Sequence, residues 1–310
     1  MSERGYGMAK KGTRYWFSVL KATIHLWLDA QSFAQAAALA FYTIFSVAPL
    51  MIIAVTIIGV ALGEQAAQGQ LAQKLQELIG ANAASAVQAA VDGSRIENSG
   101  ILPTAAGIGA ILIGATAIFV QLQTSLNTIW GVIPKPSRST LYLYLKARLL
   151  SLVVVFGMSF VMLASLLLSI VVQAVALFAQ EWVPIPNRLL LGLDWGASLM
   201  VVTLLFAIIF RVLPDVVLEW RDVWLGAFVT GLLFSFGRGL IAYYLSTAAT
   251  ASVYGAAGSL VLLLMWVNYS SLILLLGAAF TRASVQARGL PVHPRSTAVR
   301  VRQEIMDDAA

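Results

Sequence analysis

The chain has 310 residues, of which 59% are hydrophobic and only 11% charged, with a mean hydropathy of +0.84. Soluble domains carry about 25% charged residues, so this chain is too poor in polar surface for a soluble fold of its length. The net charge of +6 and the pI near 9.7 would suit nucleic acid, but the basic residues gather between apolar runs and read first as a topology signal. There is no cysteine, which excludes disulfides, zinc–thiolate sites and thiol catalysis.

Residues 1–35 form an N-terminal segment without the small-residue cleavage pattern of a signal peptide. Trp16, Leu20, Ile24, Trp27 and Leu28 recur at helical spacing opposite Lys21 and His25. This predicts an amphipathic helix, either lying along the membrane surface or packed against the bundle.

Six apolar runs follow at 36–62, 102–122, 149–178, 189–213, 223–245 and 257–280. Each reaches about the 20 residues a helix needs to cross a bilayer. The predicted fold is all-α: a polytopic bundle of six transmembrane helices over 36–280, with a helical insertion at 63–101 and a basic tail at 281–310. Pro49 is expected to kink the first span. In the insertion, Leu71, Leu75, Leu78 and Ile79 form a helical stripe ending at Gly80, and a second helix is expected from Asn82.

Six spans put both ends of the region on one side. That side holds Arg4, Lys10, Lys11, Arg14 and Lys21, then Lys135, Arg138, Lys146 and Arg148, then Arg211 and Arg221, and finally Arg282, Arg288, Arg295, Arg300 and Arg302. The opposite loops hold only Lys74, Arg95 and Arg188. The basic side is therefore expected to be cytoplasmic, the 63–101 insertion extracytoplasmic, and anionic lipids at the cytoplasmic face are candidate partners. No nucleic-acid partner and no cofactor are expected.

Within the spans, polar groups are the candidate sites, because they are costly in hydrocarbon. Asp194 and Arg238 are equidistant in sequence from Val216, so a rise of about 1.5 Å per residue puts them at similar depth, toward the outer leaflet. Arg238 lies close to the ridge Ala227, Gly231, Ser235 and Gly239, a small-residue pattern that lets membrane helices approach. Asp194 shares a face with Ala197 and Ser198. Both charges are expected to face inward and to pair, as a fixed brace or as part of a polar pathway; Arg238 snorkelling outward is the third reading. Gln121, Gln123, Thr124 and Asn127 end span two, and Asn268 and Ser271 share a face of span six. They either line an interior path or hydrogen-bond between helices.

Other motifs carry less. The glycines of GIGAILIG at 107–114 lie inside a span with no preceding strand, so Ala110 and Gly114 read as helix-packing positions rather than a nucleotide loop. No Walker sequence, triad pattern or metal-ligand cluster is legible, so no catalytic or metal residues are assigned. The acids of LPDVVLEWRD read as a solvated turn, with Asp222 as an N-cap of span five.

The ordered segments AAALAFYTIFSVAPL, LQTSLNTIWGV, LPDVVLEWRDVWLGA and SVYGAAGSLVLLLMWVNYS resemble the YihY/BrkB family of bacterial inner-membrane proteins over about residues 30–285. The resemblance implies a six-helix inner-membrane fold and a role in envelope physiology. One branch of that family is associated with virulence, and transport has been suggested for some members. An older label, ribonuclease BN, implies RNA hydrolysis, which needs metal ligands gathered on a cytosolic surface; this chain offers only scattered acids there. It also departs from the family at Ala279, where an acid is common, and at Asn268, where an aromatic residue is common. The leading expectation is a non-enzymatic transporter or permease-like protein. A membrane scaffold is the alternative, and a nuclease the least favoured.

Overall fold

A computed structural model describes residues 3–62, 117–135, 187–247 and 258–301, with short helical pieces between 68 and 88. Side chains are described for 14–47, 117–135, 195–240 and 260–301. The described chain is mostly helical. Its main helices are α1 Glu3–Asp29, α2 Ser32–Leu62, α3 at 117–130, α4 Asn187–Val212, α5 Trp220–Thr247 and α6 Gly258–Ala287. The third predicted span, the first part of the second, Ala110, Gly114 and the helical stripe from Leu71 to Asn82 lie outside the described residues.

Among the described residues, three helices are long and apolar enough to cross a membrane: α4 over Trp195–Val212, α5 over Trp220–Leu240 and α6 over Leu260–Ala287. They match the expected spans four to six, except that α6 runs well past residue 280. The extra turns are amphipathic, with Ala283 and Val285 buried while Gln286 stays exposed. Helix α2 continues through Pro49 without a break.

Helix α1 packs against the bundle. Trp16 stacks on Phe280 at 6.4 Å and the Trp27 indole N–H donates to the Leu272 carbonyl at 3.3 Å, so α1 runs antiparallel along α6. Val19 is buried against Phe280 and Ala283. Of the apolar stripe read from sequence, the two tryptophans serve this contact, while Leu20, Ile24 and Leu28 stay exposed beside Phe17. The chain then turns at Gln31, which takes a left-handed φ of 51°.

Helices α5 and α6 also run antiparallel, and here the backbones meet closely. A Cβ on Gly226 would collide with the Thr281 hydroxyl, one on Gly277 with the Thr230 hydroxyl, and one on Gly237 with the Tyr269 ring. Each threonine hydroxyl donates to a carbonyl in its own helix, Thr230 to Gly226 at 2.6 Å and Thr281 to Gly277 at 2.8 Å. The two helices thus exchange a glycine slot and a threonine knob. Lipid gives helices little hydrophobic reason to associate, so close packing at small residues supplies the attraction.

The described part of the expected tail, 281–301, packs into the fold. Gly289, with φ 71°, ends α6 in a Schellman turn, its N–H bonding the Gln286 carbonyl at 2.9 Å and that of Leu290 the Val285 carbonyl at 3.3 Å. The following residues form β3 His293–Pro294 and β4 Ala298–Arg300. Strand β4 pairs antiparallel with β1 Val132–Pro134, placing Val132 opposite Arg300, and β3 pairs with β2 Val216–Val217. These four strands of two or three residues are an addition to the expected helical fold, which the described chain otherwise keeps. They tie the ends of α3, α4 and α6 into one junction.

Candidate functional site

The junction is organised around Asp215. Pro214 ends the helical run after α4, and the carboxylate of the next residue turns inward, only 8% exposed. Its Oδ2 accepts from Asn127 Nδ2 at 2.9 Å and Gln123 Nε2 at 3.2 Å. Its backbone N–H donates to Asn127 Oδ1 at 2.8 Å, and its carbonyl accepts from the Arg295 N–H at 2.9 Å. The Arg295 side chain then donates to the carbonyls of Arg211 at 3.1 Å and Val216 at 3.3 Å. One planar fork thereby satisfies the Arg211 carbonyl, which the end of α4 leaves orphaned, and the Val216 carbonyl of β2.

The reading of LPDVVLEWRD as a solvated turn therefore holds only for Glu219, which pairs with Arg221 in the open. Asp222, expected as an N-cap, is instead the third residue of α5 and bonds back to the Glu219 N–H at 3.1 Å, the reciprocal half of a capping box. It is 9% exposed, and Arg288 lies 3.0 Å from it, near enough for an ion pair though poorly aligned for a hydrogen bond.

A second polar cluster interleaves with this one on another face of α3. Gln35 Oε1 accepts from Gln121 Nε2 at 3.0 Å and lies 2.8 Å from Ser125 Oγ, joining α2 to α3. Beyond it, Ser46 Oγ accepts from the Ile118 N–H at 3.3 Å. The end of α3 is closed by Arg282, whose guanidinium donates to the Ile129 carbonyl and lies against Gly131.

Of the residues singled out from sequence, Gln121 and Gln123 thus bind partners on other elements. Ser271 is buried and Asn268 half-buried on α6. Arg238 is half-buried on α5. The Asp194 side chain lies outside the described ones, and so does the expected pair. Gly231 fixes the register of α4 and α5, since a Cβ there would come within 2.8 Å of Thr203 Oγ1. That register sets Arg238 level with Gly196, about 3 Å in height from Asp194. Ala197 and Ser198, read as marking an inward face, are exposed. On the ridge, Ala227 is fully buried and Gly231 packs on α4, while Gly239 is exposed with no described residue close to it. Ser235 is half-buried.

Sequence reasoning missed Asp215, Gln35 and Arg295, whose partners are distant in the chain. It also missed the clasp, although GAFVT at 226–230 and GAAFT at 277–281 repeat the same glycine-to-threonine spacing. Ala279 is fully buried, so the acid common in the resembling family would here enter the packed core. Among the described residues, no group of three His, Cys, Asp or Glu side chains could hold a metal ion.

The family described as Virulence factor BrkB matches residues 23–300. A UPF0761 membrane protein of Azotobacter vinelandii is 26% identical over 251 residues, covering 79% of this chain and 57% of that protein. Another, from Mannheimia succiniciproducens, is 24% identical over 272 residues, covering 85% and 88%. A Bacillus subtilis protein named ribonuclease-like protein YfkH is 27% identical over 198 residues, covering 63% and 69%. The chain spans a little over half the length of several of the relatives it matches. No solved structure matches it. The family match runs from α1 through the last residue of β4 and takes in both the clasp and the Asp215 junction: the chain is a membrane protein and belongs to the Virulence factor BrkB family.

Proposed function

We propose that the chain is a permease-like transporter of the bacterial inner membrane, with both termini in the cytoplasm and the Asp215 junction as its cytoplasmic closure. One observation carries this reading: α3, packed in an otherwise apolar core, bears interleaved polar side chains on two faces, Gln121 and Ser125 meeting Gln35 while Gln123 and Asn127 meet Asp215. Polar groups at membrane depth mark solute or ion paths more often than soluble cores do. Asn268 and Ser271 continue the polar lining on α6, and Asp194 with Arg238 is a candidate ion pair nearer the outer leaflet. The basic residues listed above on one side support the orientation, and the same charges make anionic lipids partners at the cytoplasmic face.

The test uses the cysteine-free background. Single cysteines at Ser125, Asn268 and Ser271 are probed with a charged, membrane-impermeant thiol reagent from each side of sealed vesicles. A transporter closed at Asp215 gives labelling at Asn268 and Ser271 from the outer side and protection at Ser125 from the inner side. Protection of all three from both sides would sink the proposal.

A scaffold is the second reading, favoured by the reciprocal glycine–threonine clasp, which makes α5 and α6 a rigid pair. It is the outcome to which uniform protection would point. Ribonuclease activity is supported only by the name of one relative, and the polar residues of the junction serve to hold helix ends and strands together.

A further inference from the structure

Helix α1 stands beside α6 rather than across its end. Because Trp16 meets Phe280 and Trp27 meets Leu272, the stretch between them is level with residues of α6 that belong to its membrane-length apolar stretch. The inner face of α1 is used up by this contact, with Val19, Thr23 and Ala30 buried. Its outer face carries two parallel lines. Phe17, Leu20, Ile24 and Leu28 form an apolar line, exposed by 71, 54, 48 and 52%. Arg14, Lys21 and His25, spaced by two turns and then one, form a basic line next to it, and all three are exposed.

Neither single surrounding suits both lines. Water would leave four large apolar side chains uncovered, and plain hydrocarbon would leave an ammonium group uncompensated at a cost of several kcal/mol. Among the described residues, no ion pair joins Lys21 or His25 to an acid, and Asp29, the acid at the end of this helix, pairs with neither. Between the lines lies a shallow groove of about 350 Å³, lined by Phe17, Leu20, Lys21, Ile24 and His25.

We infer that this groove is a binding site for an anionic phospholipid, its phosphate held by Lys21 and His25 and its acyl chain laid along Phe17, Leu20 and Ile24. Charge complementarity selects the occupant. The ammonium and the imidazole N–H are donors suited to a phosphate oxygen, while the apolar line needs a chain that a free phosphate lacks. Arg14, two turns nearer the helix start than Lys21, adds field but not lining. The inference rests on the cytoplasmic placement of the N-terminus proposed above and names the residues that would meet the lipid there.

The experiment uses the full chain in nanodiscs, with Ser18→Cys labelled by an environment-sensitive dye; Ser18 is exposed on the edge of the same face. Adding phosphatidylglycerol to phosphatidylcholine discs changes the signal with a defined midpoint, and inorganic phosphate does not. Lys21→Gln with His25→Gln moves that midpoint by about fivefold for the lysine charge alone, whereas Lys21→Arg leaves it in place. Ile24→Glu, a second exposed variant that sets a carboxylate in the groove, abolishes the response. Equal responses to the two lipids, or an unchanged midpoint in both Lys21→Gln/His25→Gln and Ile24→Glu, would overturn the site and leave snorkelling as the role of Lys21. If labelling of Ser18→Cys in intact cells occurs from outside, the cytoplasmic placement fails while the lipid preference in nanodiscs still stands.

Discussion

Asp215 and Asn127 hold each other twice: the amide of Asn127 donates to the carboxylate at 2.9 Å, and its oxygen takes the backbone N–H of Asp215 at 2.8 Å. Asn127 therefore reads both the side chain and the main chain of the link between α4 and α5. The planar amide presents a donor and an acceptor side by side on a short stem; leucine of similar shape has neither, and glutamine carries them one methylene farther out.

Asn127→Leu consequently leaves a buried N–H and a buried carboxylate oxygen short of partners. The expected cost is about 1–3 kcal/mol for each group left unpaired, read as a lower melting midpoint of the purified protein in detergent. Asn127→Gln, one methylene longer, recovers only part of it. A midpoint unchanged in Asn127→Leu would show that water replaces the amide.

Gly226→Ala and Gly277→Ala each force a methyl group into a threonine hydroxyl of the facing helix. Each is expected to destabilise the protein by about 1–3 kcal/mol through overpacking. Combining Gly226→Ala with Thr281→Ala relieves the collision, so the pair is strongly non-additive. Gly239→Ala, with no described residue close to it, stays within about 0.5 kcal/mol of the parent. Thermal midpoints of this set in one detergent decide the point.

Arg295→Lys is expected to behave like Arg295→Ala. A single ammonium lacks the planar fork that reaches the carbonyls of Arg211 and Val216 together. Both variants should speed limited proteolysis within residues 288–301, while α6 itself remains protected. A lysine variant as resistant as the parent would show that charge, not shape, holds the strands.

For the proposed ion pair, Asp194→Asn lowers stability in the parent but has little effect beside Arg238→Leu, because removing one buried charge strands the other. Stabilities that simply add across the four proteins would exclude a direct pair.

The helices were legible because membrane-length apolar runs leave few alternatives, and α4, α5 and α6 begin within a few residues of the expected places. What escaped has a common cause. Asp215 looks like a loop acid until Asn127 and Arg295 arrive from far along the chain, and His293–Arg300 looks like a charged tail until β1 and β2 offer edges to pair with. Hydropathy counts how much polarity a segment carries but not whose hydrogen bonds it completes. Gln121 and Gln123 could be picked out as misplaced in a span, and a spacing of two on a helix sends them to opposite sides, but their partners, Gln35 and Asp215, follow only from the packing.

The clasp also limits how this protein can move. From Gly226 opposite Thr281 to Gly237 opposite Tyr269, one register is kept, and a shift of a single residue would drive side chains into backbone at each notch. Helices α5 and α6 therefore cannot slide past one another like a piston in a sleeve. Any rearrangement that keeps these contacts carries the two helices together as a single beam.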